Sequence, residues 1–180
     1  MEKSKNTSNS LTREWMQQAL LRLLKTKELS KITVTELTQT AGVARVTFYR
    51  NYNDMADVLL DYLENPKYGL PNPSAADFYL PQFIRGYFKF FHDNRALVFC
   101  IQKNNLLPRL MVSLEKSIGA QAYSLIAAYG FENPYEVSGL VGIFYKILLD
   151  WIRNGMQESI EEMSMIVYGI ITKFNCVSLQ

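Results

Sequence analysis

From Leu11 onward apolar residues recur every three or four positions: Leu11, Trp15, Met16, Ala19, Leu20, Leu23 and Leu24. Arg13, Glu14, Gln17, Gln18 and Arg22 fill the other side, so the pattern predicts an amphipathic helix. The stretch Thr33–Tyr52 predicts two shorter helices joined by a tight turn. Thr33 and Glu36 have the spacing of a capping box, and Leu37 and Ala41 share one face. Gly42 stands where a chain leaving a helix needs a left-handed residue. A second helix runs from about Arg45 to Asn51, with Phe48 and Tyr52 four apart on its apolar side, and Val43 lies in the turn between the two apolar faces. A fourth helix follows Asn53, buries Val58, Leu59, Tyr62 and Leu63, and ends or kinks at Asn65-Pro66.

Pro66, Gly69, Pro71 and Pro73 punctuate the next segment and place a domain boundary there. Beyond it the pattern is helical throughout: 78–93, 96–103, 106–129, 134–154 and 160–174, with Pro81 and Pro108 tolerable only near a helix start. Ser159 and Glu162 open the last helix as a second capping box. The expected fold is all-α. A polar, disordered tail (1–10) precedes a three-helix helix-turn-helix domain with its connecting helix (11–64), and a larger helical domain follows (65–180).

Charge refines this picture. The net charge of the 180 residues is only +2, but residues 1–53 carry nine Lys/Arg against four acids, a balance of +5. Acids resume at Asp54, Asp57, Asp61 and Glu64, so only the N-terminal portion has the footprint of a phosphate-binding surface. No apolar run approaches the ~20 residues of a membrane span, and the polar N-terminus does not read as a secretory signal. Cys100 and Cys176 form no metal or redox pattern and are read as reduced thiols of a cytoplasmic protein.

The side of the Arg45–Asn51 helix opposite Phe48 presents Arg45, Val46, Thr47, Tyr49, Arg50 and Asn51, and no acid. Arginine offers paired donors to guanine, and a small apolar side chain can meet a thymine methyl. Tyr49, Thr47 and Asn51 can donate to phosphates, which sets register without reading sequence. An ordinary αα-hairpin with a solvated face fits these residues equally well.

The run A-G-V-A-R-V-T-F-Y-R-N-Y (Ala41–Tyr52) resembles the signature of TetR-type transcriptional regulators, matching at Ala41, Gly42, Val43, Thr47, Phe48 and Tyr49 and conservatively at Tyr52. The resemblance implies an all-helical regulator that binds a double-stranded DNA operator with inverted-repeat symmetry. Thr33, Arg45, Val46, Thr47, Tyr49, Arg50 and Asn51 would face the DNA. It also implies that the helix after Asn53 connects the two domains, so that its tilt moves the recognition helix. Three positions depart from the pattern: Ala44 replaces a capping serine, Asn51 a histidine, and Met55 a lysine near the next helix start.

The last two helices carry few charges: only Lys146 and Asp150 between Val137 and Ile152, and none between Met163 and Thr172. A helix apolar on all sides is buried on all sides, which a small domain achieves against a second copy of itself or as an internal core helix. Gly139 and Gly142 would admit close backbone approach, and Ile147, Trp151, Ile166 and Ile170 would fill a homodimer interface. The run Phe144–Met156 also resembles the penultimate, dimer-forming helix of a subgroup of TetR-like proteins.

Phe83, Tyr87, Phe90, Phe91, Phe99 and Tyr123 crowd two or three helices, as in an aromatic-lined pocket for a small-molecule effector or, more commonly for any one such residue, in a plain aromatic core. Gln102 and Tyr123 would supply polar contacts in the pocket reading. His92 is the sole histidine and sits at a helix end, and no Ser-His-Asp set, H-x-x-x-H pair or glycine-rich phosphate loop is present. The sequence therefore predicts no enzyme, no cofactor, no metal and no membrane partner. The expected function is that of a homodimeric repressor released by a small molecule. The alternative is a TetR-like adaptor or co-activator that has lost DNA binding and acts through protein contacts.

Overall fold

A computed structural model describes residues 2–65, 79–112, 114–115, 130–131 and 133–177. The described residues are helical, without a strand, and the chain divides into two compact units, Met1–Tyr68 and Gly69–Gln180.

In the first unit α1 spans Glu2–Leu23, α2 Val34–Ala41, α3 Arg45–Asn51 and α4 Met55–Glu64, with a 3-10 turn at Leu29–Lys31 between α1 and α2. α1 runs from Glu2, through the polar residues 2–10. Residues 2–10 contain neither glycine nor proline, and adding residues to a helix that is already anchored costs far less than nucleating one.

The buried stripe of α1 is also narrower than expected. Met16, Ala19 and Leu20 are in the core, while Leu11 and Trp15 are about half exposed, at 45% and 51%. Gln17, expected on the polar side, is 2% exposed. A 3.6-residue period leaves the rotation of a helix open over nearly a turn, and packing on α2 and α4 selects the face centred on Met16 and Leu20.

Local chemistry ends each short helix as the residues dictate. The Thr33 hydroxyl accepts from the Glu36 amide at 3.2 Å. Gly42 adopts φ +69° and closes α2, its N–H donating to Gln39 at 3.2 Å while the Val43 N–H donates to Thr38 at 2.9 Å. Asp54 caps α4 by accepting from the Asp57 amide at 2.8 Å. Leu37, Phe48, Val58, Leu59 and Leu63 are all but inaccessible and form the core of the unit, whereas Tyr62, expected among them, is only half-buried.

In the second unit α5 spans Leu80–Asp93, α6 Arg95–Lys103, α7 Pro134–Arg153 and α8 Ile160–Val177, and residues 107–112 and 114–115 are helical as well. Of the expected helix over 106–129, residues 116–129 lie outside the described residues, Tyr123 among them. Pro81 and Pro134 sit in first turns, where a missing N–H is harmless. The second capping box closes both ways: the Ser159 amide donates to Glu162 Oε2 at 2.8 Å and the Glu162 amide to Ser159 Oγ at 3.2 Å.

The core is aromatic. Tyr87 and Phe88 of α5 meet Phe144 of α7 edge-on at 5.9 and 5.8 Å, and Phe88 meets Trp151 at 5.2 Å and 87°. Trp151 is 2% exposed and donates its Nε1–H to the Glu158 carbonyl at 3.1 Å. Expected in a homodimer interface, the indole is buried and hydrogen-bonded within the single chain. Neither α7 nor α8 is buried on all sides, because each turns one apolar row inward and leaves others outside.

Trp151 supplies a test of this core. Trp151→Phe keeps the ring packing but leaves the Glu158 carbonyl without its donor, at an expected cost of ~1–3 kcal/mol, and Trp151→Ala should cost ~3–5 kcal/mol. Urea unfolding followed by far-UV circular dichroism reads both, and equal midpoints for wild type and Trp151→Phe would exclude the hydrogen bond's role.

Candidate nucleic-acid interface

α3 has seven residues and begins at Ala44 without a side-chain cap, so little within it holds it helical. It is held from outside. Phe48 is wholly buried, and its ring packs on Tyr49 at 5.3 Å and on Tyr52 at 5.9 Å. Tyr52, just past the helix end, donates its hydroxyl to Asp61 Oδ2 of α4 at 2.5 Å.

Asp61 collects three donors. Besides Tyr52, Gln17 Nε2 donates to it at 2.7 Å, and Arg13 binds it through both Nε (3.0 Å) and Nη2. The Arg13 guanidinium also lies 5.9 Å from the Tyr52 ring centre, and Asn65 donates to Gln17 Oε1 at 3.3 Å. One carboxylate thus ties α1, the end of α3 and α4 together. A polar recess of about 470 Å³, lined by Asn9, Ser10, Arg13, Gln17, Asp61, Glu64 and Asn65, opens beside it. Water therefore reaches the ion pair, and its worth is that of a screened contact.

With Phe48 inside, the outer face of α3 is as the residue pattern requires. Val46 and Tyr49 are 54% and 55% exposed, and Arg45 and Arg50 are exposed too. Arg45 Nη2 donates to Tyr49 Oη at 3.0 Å, and its guanidinium carbon stands 5.6 Å from that ring's centre. Thr47 and Asn51 are only half-buried edges of the face. Asn51 Nδ2 donates to the Thr47 carbonyl at 2.8 Å, which engages one of the amide's two N–H groups within the helix. Thr33 is exposed at the start of α2, its oxygen capping that helix and its O–H still able to donate.

The network on Asp61 was not legible in sequence as a site. Its one signal is the Arg13/Gln17 pair, four apart on the face of α1 that Asp61 meets.

In the second unit Phe83, Tyr87 and Phe90 are buried, Phe83 stacking on Tyr87 at 4.8 Å, and Phe99 and Gln102 are half-buried. Phe90 meets Phe91 edge-on at 5.4 Å. Gly139 and Gly142 are exposed, with open space where a Cβ would stand, and Ile166 is 48% exposed. Ile147 and Ile170 are half-buried. No helix among the described residues is long and apolar enough to cross a membrane.

No family model and no curated protein matches the chain. Solved structures do. A TetR transcriptional regulator from Rhodococcus sp. RHA1 superposes with a TM-score of 0.61 at 16% identity, covering 94% of this chain and 98% of that one. The fatty acid degradation regulator FadR from Bacillus halodurans superposes with a TM-score of 0.56 at 14% identity, covering 89% and 94%. The chain shares the all-helical fold of these regulators over nearly its whole length.

Two measurements probe the support of α3. Asp61→Ala leaves the buried Gln17 amide and the Tyr52 hydroxyl without their acceptor and should cost ~1–3 kcal/mol in urea unfolding of the first unit. Burial, reinforced by Asp61, holds the Tyr52 phenol protonated well above its ordinary pKa of 10.0. The folded chain therefore keeps a proton that the unfolded chain releases, so this stability is complete below about pH 10 and is lost as pH rises further. Burial shifts Tyr87 and Tyr145 the same way. The thermal midpoint should fall steeply above about pH 10, and less steeply for Tyr52→Phe. A flat profile would contradict the buried phenols.

Proposed function

We propose that the protein is a sequence-specific DNA-binding transcriptional regulator, acting as a homodimeric repressor released by a small molecule. One observation carries the reading. A short helix, anchored by a buried phenylalanine behind a glycine turn, exposes Arg45, Val46, Tyr49 and Arg50 and no acidic residue. Two arginines and an exposed phenol suit phosphate and base edges, and Val46 suits a thymine methyl. The regulators whose fold the chain shares support the same reading.

The dimer reading rests on the outer rows of α7 and α8. Tyr135, Met165 and Ile166 are 86%, 66% and 48% exposed, and Gly139, Gly142 and Gly169 have open space over their Cα atoms. Apolar surface of this kind beside bare backbone suits a helix pair from a second copy. A two-fold dimer would present its α3 helices to an inverted repeat at a spacing of about 34–36 Å or a multiple of it. The effector would be bound in the second unit, near the half-buried Phe99 and Gln102.

The adaptor reading keeps one specific support. Ala44 gives α3 no cap, and one N–H of the Asn51 amide is turned back onto the Thr47 carbonyl, which leaves this helix end fewer polar groups for a phosphate.

Selection from random duplex DNA separates the readings: an enriched inverted repeat is expected, and no enrichment would favour the adaptor. On the selected site Arg50→Ala should weaken all sequences alike and lower the salt slope by about 1. Ile166→Lys leaves a residue that the single chain already exposes, so folding should persist. A monomer in sedimentation equilibrium is expected, and an unchanged dimer would remove Ile166 from the interface.

A further inference from the structure

We propose that Tyr49 is a positioning residue for Arg45, holding the guanidinium in place so that base discrimination by Arg45 depends on the Tyr49 ring. The inference rests on the DNA-binding reading above and assigns Tyr49 more than a phosphate contact.

Arg45 is the first residue of α3. That helix start has no side-chain cap, so it frays readily, and a cation there opposes the helix dipole. An arginine in such a place is expected to wander, and its long side chain has much rotamer freedom to lose on binding. Here it does not stand alone. Tyr49 lies four residues on, the spacing at which two side chains meet on a helix surface. Arg45 Nη2 donates to Tyr49 Oη at 3.0 Å, and the guanidinium carbon is 5.6 Å from the ring centre.

The ring leans on the core, meeting Phe48 edge-on at 5.3 Å and 89°, and Phe48 is wholly buried. Rigidity therefore passes from the core through Phe48 to Tyr49 and on to Arg45.

The arrangement leaves the chemistry of recognition intact. Only one of five guanidinium N–H groups is engaged, so a two-pronged edge remains for a guanine. Because Tyr49 Oη accepts from Arg45, its own O–H stays available to a phosphate. One phenol can thus couple a backbone contact to the base reader, and holding Arg45 in advance lowers the ordering cost of binding.

The test compares wild type, Arg45→Ala, Tyr49→Phe, Tyr49→Leu and the Arg45→Ala/Tyr49→Leu double variant. Each is taken through selection from random DNA and then titrated on the selected operator and its single-base variants. Arg45→Ala should flatten preference at one position in each half-site. Tyr49→Leu should reduce discrimination at that same position about two- to fivefold, the size of an exposed cation–π contact. Tyr49→Phe, which keeps the ring, should reduce it less. Adding Tyr49→Leu to Arg45→Ala should change nothing further at that position. Tyr49 is exposed, so unfolding midpoints should hold across the series. Tyr49→Leu binding that is weaker on every sequence, with the ratio at the Arg45 position unchanged, would overturn this inference alone. A wild-type pool without any enriched sequence would overturn the DNA reading and this inference with it.

Discussion

A helix of seven residues does not hold itself together in water, since nucleation costs more than so few hydrogen bonds return. α3 must therefore be held by its neighbours, and the rest of the first unit is arranged to do so. Phe48 enters the core from the middle of the helix, and Tyr52 reaches Asp61 from just beyond its end. Asp61 in turn accepts from Arg13 and Gln17 of α1, so that helix and α4 share one polar anchor. The consequence is chemical: with its inner side engaged, α3 turns Arg45, Val46, Tyr49 and Arg50 outward, where no other helix of the unit covers them. That exposure is what a surface for reading another molecule requires.

The second unit solves the opposite problem. It has an excess of aromatic side chains, and it spends them on itself. Phe88, Phe144 and Trp151 meet edge to face, and Tyr87 joins them from the same face of α5. With those rings inside, the outer rows of α7 and α8 carry glycines and a few exposed apolar residues, Tyr135, Met165 and Ile166. Gly139 and Gly142 stand there with open space where a Cβ would be. The same separation explains why Trp151 and Ile147, four positions apart in one helix, have different roles: the first faces the aromatic core, while the second lies on its margin.

Local rules carried much of the first unit. The Thr33 cap, the left-handed Gly42, the Phe48/Tyr52 spacing and the missing cap at Ala44 are each set by a residue and its near neighbours. Such features involve contacts within about five residues, which the chain order itself brings together. The rotation of α1 was of another kind. Leu11 and Trp15 belong to a valid apolar stripe, yet the stripe used is centred on Met16 and Leu20 with Gln17 beside it. Nothing near these residues could have said so, because α2 and α4 make the choice.

By itself the sequence determined the helix spans of the turn region, the ends that cap chemistry imposes, and the acid-free composition of the face around Arg45 and Tyr49. Only the tertiary structure decided that Asp61 is the meeting point of Arg13, Gln17 and Tyr52, and that Trp151 belongs to its own chain's core. The physical reason differs with range. Periodicity and capping act between neighbours in the chain, whereas Arg13 and Asp61 are 48 residues apart. Which polar groups find one another at that distance depends on the rotation and packing of whole helices, which no local pattern encodes.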